Sequence, residues 1–346
     1  MAYTAVDDSE AFFKVLLYTG NDTSQAISGV GFSPGLLYTS GRSIGGVGRT
    51  LHDAVRGDAQ QLNPNSTASE SDTAGGVTSL DSDGFTVGSE NSVNDNAATY
   101  LSYSWKTGTT SGKTTSGETI TPSGYSLNAT SGVGVFTWSG TGSAGTIAHG
   151  LGDNVGKGMI IVKRRNSTAG YQVFHSLTGA THVIYLNSNA VADDSNTVWN
   201  DVAPTSSVFT LGTNAGTNAS GGTYVGMVFA PKQGFSKFGS YTGNGNADGT
   251  FVYTGFRPKM IITKITSGTG NWVVKTDGVG DADNPQTEFV YVNDTAAEGD
   301  GSHVDFLSNG FKWRDAETNN NSSGSTYLFM AFANAPFVNS EGVPCN

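Results

Sequence analysis

Cysteine is almost absent from this 346-residue sequence: Cys345, one residue from the C-terminus, is the single one. One thiol closes no internal disulfide, which excludes a disulfide-framed small fold. Charge is also scarce, 14% of residues against the ~25% of an average globular chain. What charge there is runs acidic, 29 against 18, for a net −11. The densest basic spot, Lys163-Arg164-Arg165, only ends a predicted strand, so the basic stripe that nucleic-acid binding needs is missing. No apolar run approaches the ~20 residues of a membrane span, and the first residues lack the basic-then-apolar order of a signal peptide. Synthesis in a cytoplasm without membrane insertion is the expectation. Long helical periodicity is absent as well, and helix content should be low.

Glycine is abundant instead, 48 residues, roughly double the average usage of ~7%. With hydrophobic residues at 36%, core material is ample and overall disorder is excluded. The length suits two or three domains of ~100–150 residues.

One pattern occurs three times. Tyr100-Leu101-Ser102-Tyr103-Ser104-Trp105, Tyr224-Val225-Gly226-Met227-Val228-Phe229 and Tyr327-Leu328-Phe329-Met330-Ala331-Phe332 share their tyrosine and their period of two. Such alternation marks a strand with one large apolar face, Leu101/Tyr103/Trp105, Val225/Met227/Phe229 and Leu328/Met330/Phe332, expected to be core. The smaller face, Ser102/Ser104, Gly226/Val228 and Phe329/Ala331, suits an outer surface. Each copy is read as a domain's closing strand, paired with an opening strand marked by Tyr18, Trp138 or Tyr241. That pairing places Trp105 with Tyr18, Phe229 with Trp138, and Phe332 with Tyr241 in one sandwich each. Between them recur a buried apolar strand (Met159 to Val162, Met260 to Ile262) and a block ending in Asp83-Gly84 or Asn309-Gly310, whose positive φ suits hairpin turns.

The repeats give an all-β chain of three tandem β-sandwich domains, jelly-roll or concanavalin-like. The segments are a lead-in over 1–13, repeats over 14–106, 124–234 and 235–338, and a tail over 339–346. A Gly/Ser/Thr-rich run over 107–123 reads as a flexible linker. Repeats two and three abut and should be rigidly related, whereas repeat one is free to move unless other contacts hold it. The polar stretches 58–76, 187–202 and 279–302 differ most between copies, and function is expected in such loops.

Tyr241-Thr242-Gly243-Asn244-Gly245, Gly255-Phe256-Arg257-Pro258-Lys259-Met260-Ile261, Ser308-Asn309-Gly310-Phe311-Lys312 and Thr326-Tyr327-Leu328-Phe329-Met330-Ala331-Phe332-Ala333 carry a resemblance. Together with Tyr100 to Gly108, they resemble the repeated modules of virion structural proteins from marine tailed bacteriophages, cyanophages and pelagiphages among them. The resemblance implies a virion surface protein with a sandwich fold similar to concanavalin-like lectins. It would be synthesised in the host cytoplasm and act as a tail fibre or adhesin on a host surface glycan or protein. Capsid decoration is the alternative, because only about a dozen residues precede the first repeat. Its partners would be other virion proteins of the tail or capsid, and a homotrimer is compatible with a fibre.

Catalytic signatures are sparse. The sequence has no H-E-x-x-H and no paired cysteines, and His52 and His175 fall in equivalent blocks where the third copy has Lys275. The expectation is a non-enzyme, with a polysaccharide depolymerase as the alternative from another class. For sugar stacking the candidates are Trp199, in a variable loop, then Trp272 and Trp313, weighed against burial of each in its own core. No cofactor is required. Calcium is the one metal considered, at Asp277, Asp281 and Asp283, where oxygen ligands alternate without the glutamate of a twelve-residue loop.

Overall fold

The computed structural model describes residues 4–153, 155–280 and 283–344. It is all-β and of sandwich type, with antiparallel pairing throughout the strand ladders and one α-helix, Asn91–Asn94, among the described residues. In each repeat the opening strand lies beside the closing strand, which lies beside a third and then a fourth. In the first repeat these are Phe13–Thr19, Thr99–Trp105, Leu36–Gly41 and Thr50–Asp53. The second has Val133–Ser139, Thr223–Phe229, Met159–Arg164 and Gln172–His175. The third has Ser236–Thr242, Thr326–Pro336, Phe256–Ile265 and Val273–Thr276.

The register is kept as well. Tyr18 pairs with Tyr100, Trp138 with Tyr224 and Tyr241 with Tyr327, and the rings stack at 5.2, 5.6 and 5.0 Å. The shared tyrosine also ties down the asparagine-rich loop before it. Each hydroxyl donates to a carbonyl nine residues back (Asn91, Ala215, Thr318) and accepts the amide five residues back (Asp95, Ala219, Ser322). A buried asparagine in that loop, Asn94, Asn218 or Asn321, then bonds the turn after the opening strand. Buried polar groups must find partners, which explains why this loop keeps its asparagines.

A smaller layer closes each sandwich. It is formed by Gln25–Ser28, Gly84–Val87 and Val77–Asp81 in the first repeat, and by Gly145–Ala148 with Val208–Leu211 in the second. In the third, Phe251–Tyr253, Gly310–Trp313 and Gly299–Leu307 connect to the main sheet through Gln286–Tyr291, giving one eight-stranded sheet. The hairpin turns differ from expectation: Gly84 has φ 155°, while Asp83 and the Asn309-Gly310 pair are not among the positive-φ residues. The two glycines are needed for closeness. A Cβ on Gly84 would meet the Ile27 carbonyl at 1.9 Å, and one on Gly310 the Val252 carbonyl at 2.2 Å. Gly310→Ala should therefore push the strand Phe251–Tyr253 away and lower stability by ~1–3 kcal/mol, measurable by urea denaturation.

The assignment of strand faces is corrected. Leu101/Tyr103/Trp105, Val225/Met227/Phe229 and Leu328/Met330/Phe332 do not fill their own sandwiches but join one cluster drawn from all three repeats. The face expected outside is the one that fills each sandwich: Tyr224 and Val228 pack with Trp138 and Phe209, and Phe329 and Ala331 with Tyr241 and Phe311. Trp105 and Tyr18, Phe229 and Trp138, and Phe332 and Tyr241 thus stand on neighbouring strands but on opposite sides of the sheet. The closing strands are buried on both faces.

Equivalent rings meet at the centre. Trp105, Phe229 and Phe332 touch pairwise at 5.7–6.2 Å with interplanar angles of 65°, 68° and 70°, a three-bladed edge-to-face arrangement. Beside them lies an apolar cavity of about 50 Å³, lined by side chains of all three repeats such as Tyr103, Met159, Met227, Val274 and Met330. Three copies of one sheet are thus wrapped round a pseudo-threefold axis.

The contacts between repeats run in a cycle. The end of the third strand of repeat two meets a loop of repeat one: Lys163 donates to the Thr67 carbonyl, and Arg165 forks onto Glu70. The same place in repeat three meets repeat two, where Lys264 Nζ and the Gly270 amide both bond the Asn189 carbonyl and Trp272 Nε1 bonds that of Tyr185. Repeat one then meets repeat three, with Arg42 forked onto Glu298 and Arg49 reaching the carbonyls of Tyr291 and Ala296. Burial pushes the Glu70 carboxyl up, but Arg165 and Arg56 outweigh it and hold that carboxyl below its usual range. Repeat one is tied down by these contacts. The Gly/Ser/Thr-rich run is also packed: Ile120 is buried in the core of repeat two, and the amides of Thr119 and Ile120 bond the Thr146 carbonyl.

Candidate functional site

The cyclic packing uses parts of the very loops that vary most between copies. Thr67, Glu70, Asn189, Thr295, Ala296 and Glu298 all bond a neighbouring repeat, so these loops differ because each meets a different neighbour. A site must be sought elsewhere. Trp199, Trp272 and Trp313 are excluded as sugar platforms, being 1%, 0% and 0% exposed. Trp199 packs edge-on against Phe174, and Trp313 stands against Phe311 in the core of its own repeat. Tryptophan brings a large apolar area, and here burial claims all of it.

The calcium candidates do not assemble. Asp277 is gripped by Arg257 through two bonds of 2.9 Å, Asp281 lies outside the described residues, and Asp283 has no cluster of metal-ligating residues around it among the described ones. The two histidines in equivalent blocks stand at different registers, His52 opposite Leu37 and His175 opposite Met159. Two spacings match a nucleophile elbow, Gly31-Phe32-Ser33-Pro34-Gly35 and Gly41-Arg42-Ser43-Ile44-Gly45. Neither loop leads into a helix, the first running into the strand Leu36–Gly41, and Ser43 Oγ accepts the Thr99 amide at 2.8 Å, so the context an elbow requires is lacking.

Two surface cavities stand out among the described residues. One, of about 230 Å³, is lined by Phe289, Tyr291, Asp300, Glu317 and Asn319. Close by, Lys275 donates to the carbonyls of Thr287 and Ser302, and burial pulls its ammonium down to about 7. That lysine is buried and bonded, and both carboxylates are exposed to water.

The larger cavity is a groove of about 480 Å³ between the connection from repeat two to repeat three and the strand Phe251–Tyr253, lined by Lys232, Gln233, Lys237, Tyr253, Phe337 and Val338 among others. Tyr253 is 55% exposed, Phe251 on the same face of that strand 43%, and Phe337 38%. Lys237 Nζ donates to the Tyr253 carbonyl at 2.7 Å and lies 4.9 Å from its ring centroid. Burial holds the Lys237 ammonium below the usual lysine range. Lys232 is ion-paired with Asp153.

The repeats supply an internal control for these aromatics. Tyr253 pairs with Gly310 as Ser28 pairs with Gly84, and Phe251 sits where repeat one has Ala26 and repeat two Thr146. The inward residue between them stays apolar in all three: Ile27, Ile147 and Val252. Small residues therefore suffice to build this strand, and the fold does not require the outward Phe251 and Tyr253. Sequence reading passed over them because it sought tryptophans in loops. The signal was present as an aromatic pair in one copy at positions that are small in the other two.

A family model described as a domain of unknown function, DUF7483, matches residues 8–336, nearly the whole chain. No curated protein matches it.

Proposed function

The chain belongs to the DUF7483 family, and from its geometry we propose that it is a non-catalytic virion surface protein of a tailed bacteriophage, the rigid binding head of a tail fibre or adhesin. The observation that carries this reading is the exposed aromatic pair Phe251 and Tyr253, beside the groove that Tyr253 lines, an aromatic pair found at this place in one repeat and mounted on three repeats locked around a common core. Exposed aromatic patches that folding does not require mark interaction surfaces. A scaffold stiffened from three sides holds such a patch without ordering cost on binding. The resemblance of the strand and turn motifs to marine phage virion modules supplies the setting. Its partners are then other virion proteins on one side and a host surface glycan or protein on the other.

Capsid decoration is the second reading, favoured by the compact three-repeat packing, which is the shape of a knob. Quantifying the protein in purified virions, with antibody labelling by electron microscopy, decides between them. Low copy number at the tail is expected, and dense labelling of the head would transfer the protein to decoration. Absence from virions would overturn both. Release of reducing ends from host surface polysaccharide by the purified protein would replace the binding head with a depolymerase.

A further inference from the structure

We infer that the groove beside Phe251 and Tyr253 binds a saccharide carrying carboxylate groups, an inference that rests on the binding-head reading and names its ligand class. Phe251 and Tyr253 alternate on one strand, which sets them roughly 6.7 Å apart on one face. This is a platform for the flat C–H faces of successive sugar rings. The groove runs between Tyr253 and Phe337 and is of mixed polarity, with Gln233 exposed at its wall, and Phe251 extends the aromatic face beyond its lining.

Charge selects the kind of saccharide. In a chain of net charge −11, the groove is lined by two lysines and no carboxylate. Asp153 compensates Lys232, whereas among the described residues Lys237 bonds only the Tyr253 carbonyl and the face of its ring. A ligand carboxylate there completes a charge-assisted pair, the strong kind of hydrogen bond. A peptide adding as an extra strand fits less well. The Tyr253 carbonyl is taken by Lys237 and the Thr254 amide by the Asn309 carbonyl, and Thr250 Oγ1 ties the strand's start to the Thr242 carbonyl.

The test is calorimetric titration of the full chain with oligogalacturonate and with neutral malto-oligosaccharide at low ionic strength. The variant carries Phe251→Ala and Tyr253→Ser, the residues that repeat one uses at these positions, so folding is preserved and an unchanged melting temperature checks it. Wild type should bind oligogalacturonate at least about tenfold more tightly than the neutral sugar, and the double variant should lose about tenfold or more. Lys237→Gln should weaken oligogalacturonate alone. Failure of wild type to bind oligogalacturonate, or equal binding by the double variant, overturns the site. Equal affinity for the neutral sugar overturns the carboxylate assignment. Virion location is read separately by particle counting, so a virion protein that ignores oligogalacturonate defeats this inference and leaves the proposed function standing.

Discussion

Phe332→Ala should destabilise the whole molecule by ~3–5 kcal/mol, and all three repeats should lose their structure in one transition. The ring is fully buried and meets Trp105 and Phe229 from the other repeats, besides Phe13, Phe235 and Phe238. Truncation leaves a hole at the pseudo-threefold axis, beside a cavity the molecule already carries. No single repeat can collapse into that hole, because its walls belong to three sheets. In a linear array each repeat touches only its neighbours, and cooperativity falls with length. Here each repeat touches both others, which couples them.

Tryptophan fluorescence and far-UV circular dichroism under urea provide the check, since Trp105 reports on repeat one, Trp138 and Trp199 on repeat two, and Trp272 and Trp313 on repeat three. Coincident transitions are expected for wild type and variant alike. A first phase that removes the signal of one repeat and spares the others would show that the shared core does not couple them. A double-mutant cycle with Trp105→Ala should give a coupling of ~0.5–3 kcal/mol, the range for residues in contact.

The shared core also explains what the sequence could and could not convey. Period-two alternation told that each closing strand has two unlike faces, and the stacked pairs Tyr18/Tyr100, Trp138/Tyr224 and Tyr241/Tyr327 follow from reading the opening and closing strands as partners. Alternation does not say which face turns toward which core when both are covered. Gly226 reads as surface because it is small. It is small because the Trp138 ring lies over it, 2.9 Å from where a Cβ would be. Ser102 and Ser104 read as solvated because they are polar, yet both are fully buried. The variable loops misled for a related reason. Variation between copies suggests function in the loops, whereas each loop answers to a different neighbour, Arg165 to Glu70 in one case and Arg42 to Glu298 in another. Within one chain, divergence between repeats records heterologous contacts as readily as function. The aromatic pair on the Phe251–Tyr253 strand differs between copies without such a contact to explain it.

Acid should destabilise the protein first through two buried histidines. His52 and His175 are fully buried, and burial holds both at about 4 against an ordinary value of 6.5. His175 is neutral by construction: Nε2–H donates to the Phe329 carbonyl of repeat three, and Nδ1 accepts the Leu177 amide, which leaves no place for a second proton. Between pH 6.5 and 4 the unfolded chain binds protons that the folded chain refuses. Stability is therefore full above pH 6.5, falls through that window and levels off below it, by ~3 kcal/mol for each histidine. Glu70 acts later, because its carboxyl is held below the ordinary value of 4.5 and its share is present above that value and lost beneath it. Urea denaturation repeated from pH 7.5 to 4 should show the midpoint dropping first in the histidine window, and His175→Gln should remove about half of that drop. A midpoint that holds steady down to pH 4.5 would mean that both imidazoles reach water in the folded state. The boundary between repeats two and three would then have to open at the Phe329 carbonyl, and the triad of Trp105, Phe229 and Phe332 would not be the closed centre described above.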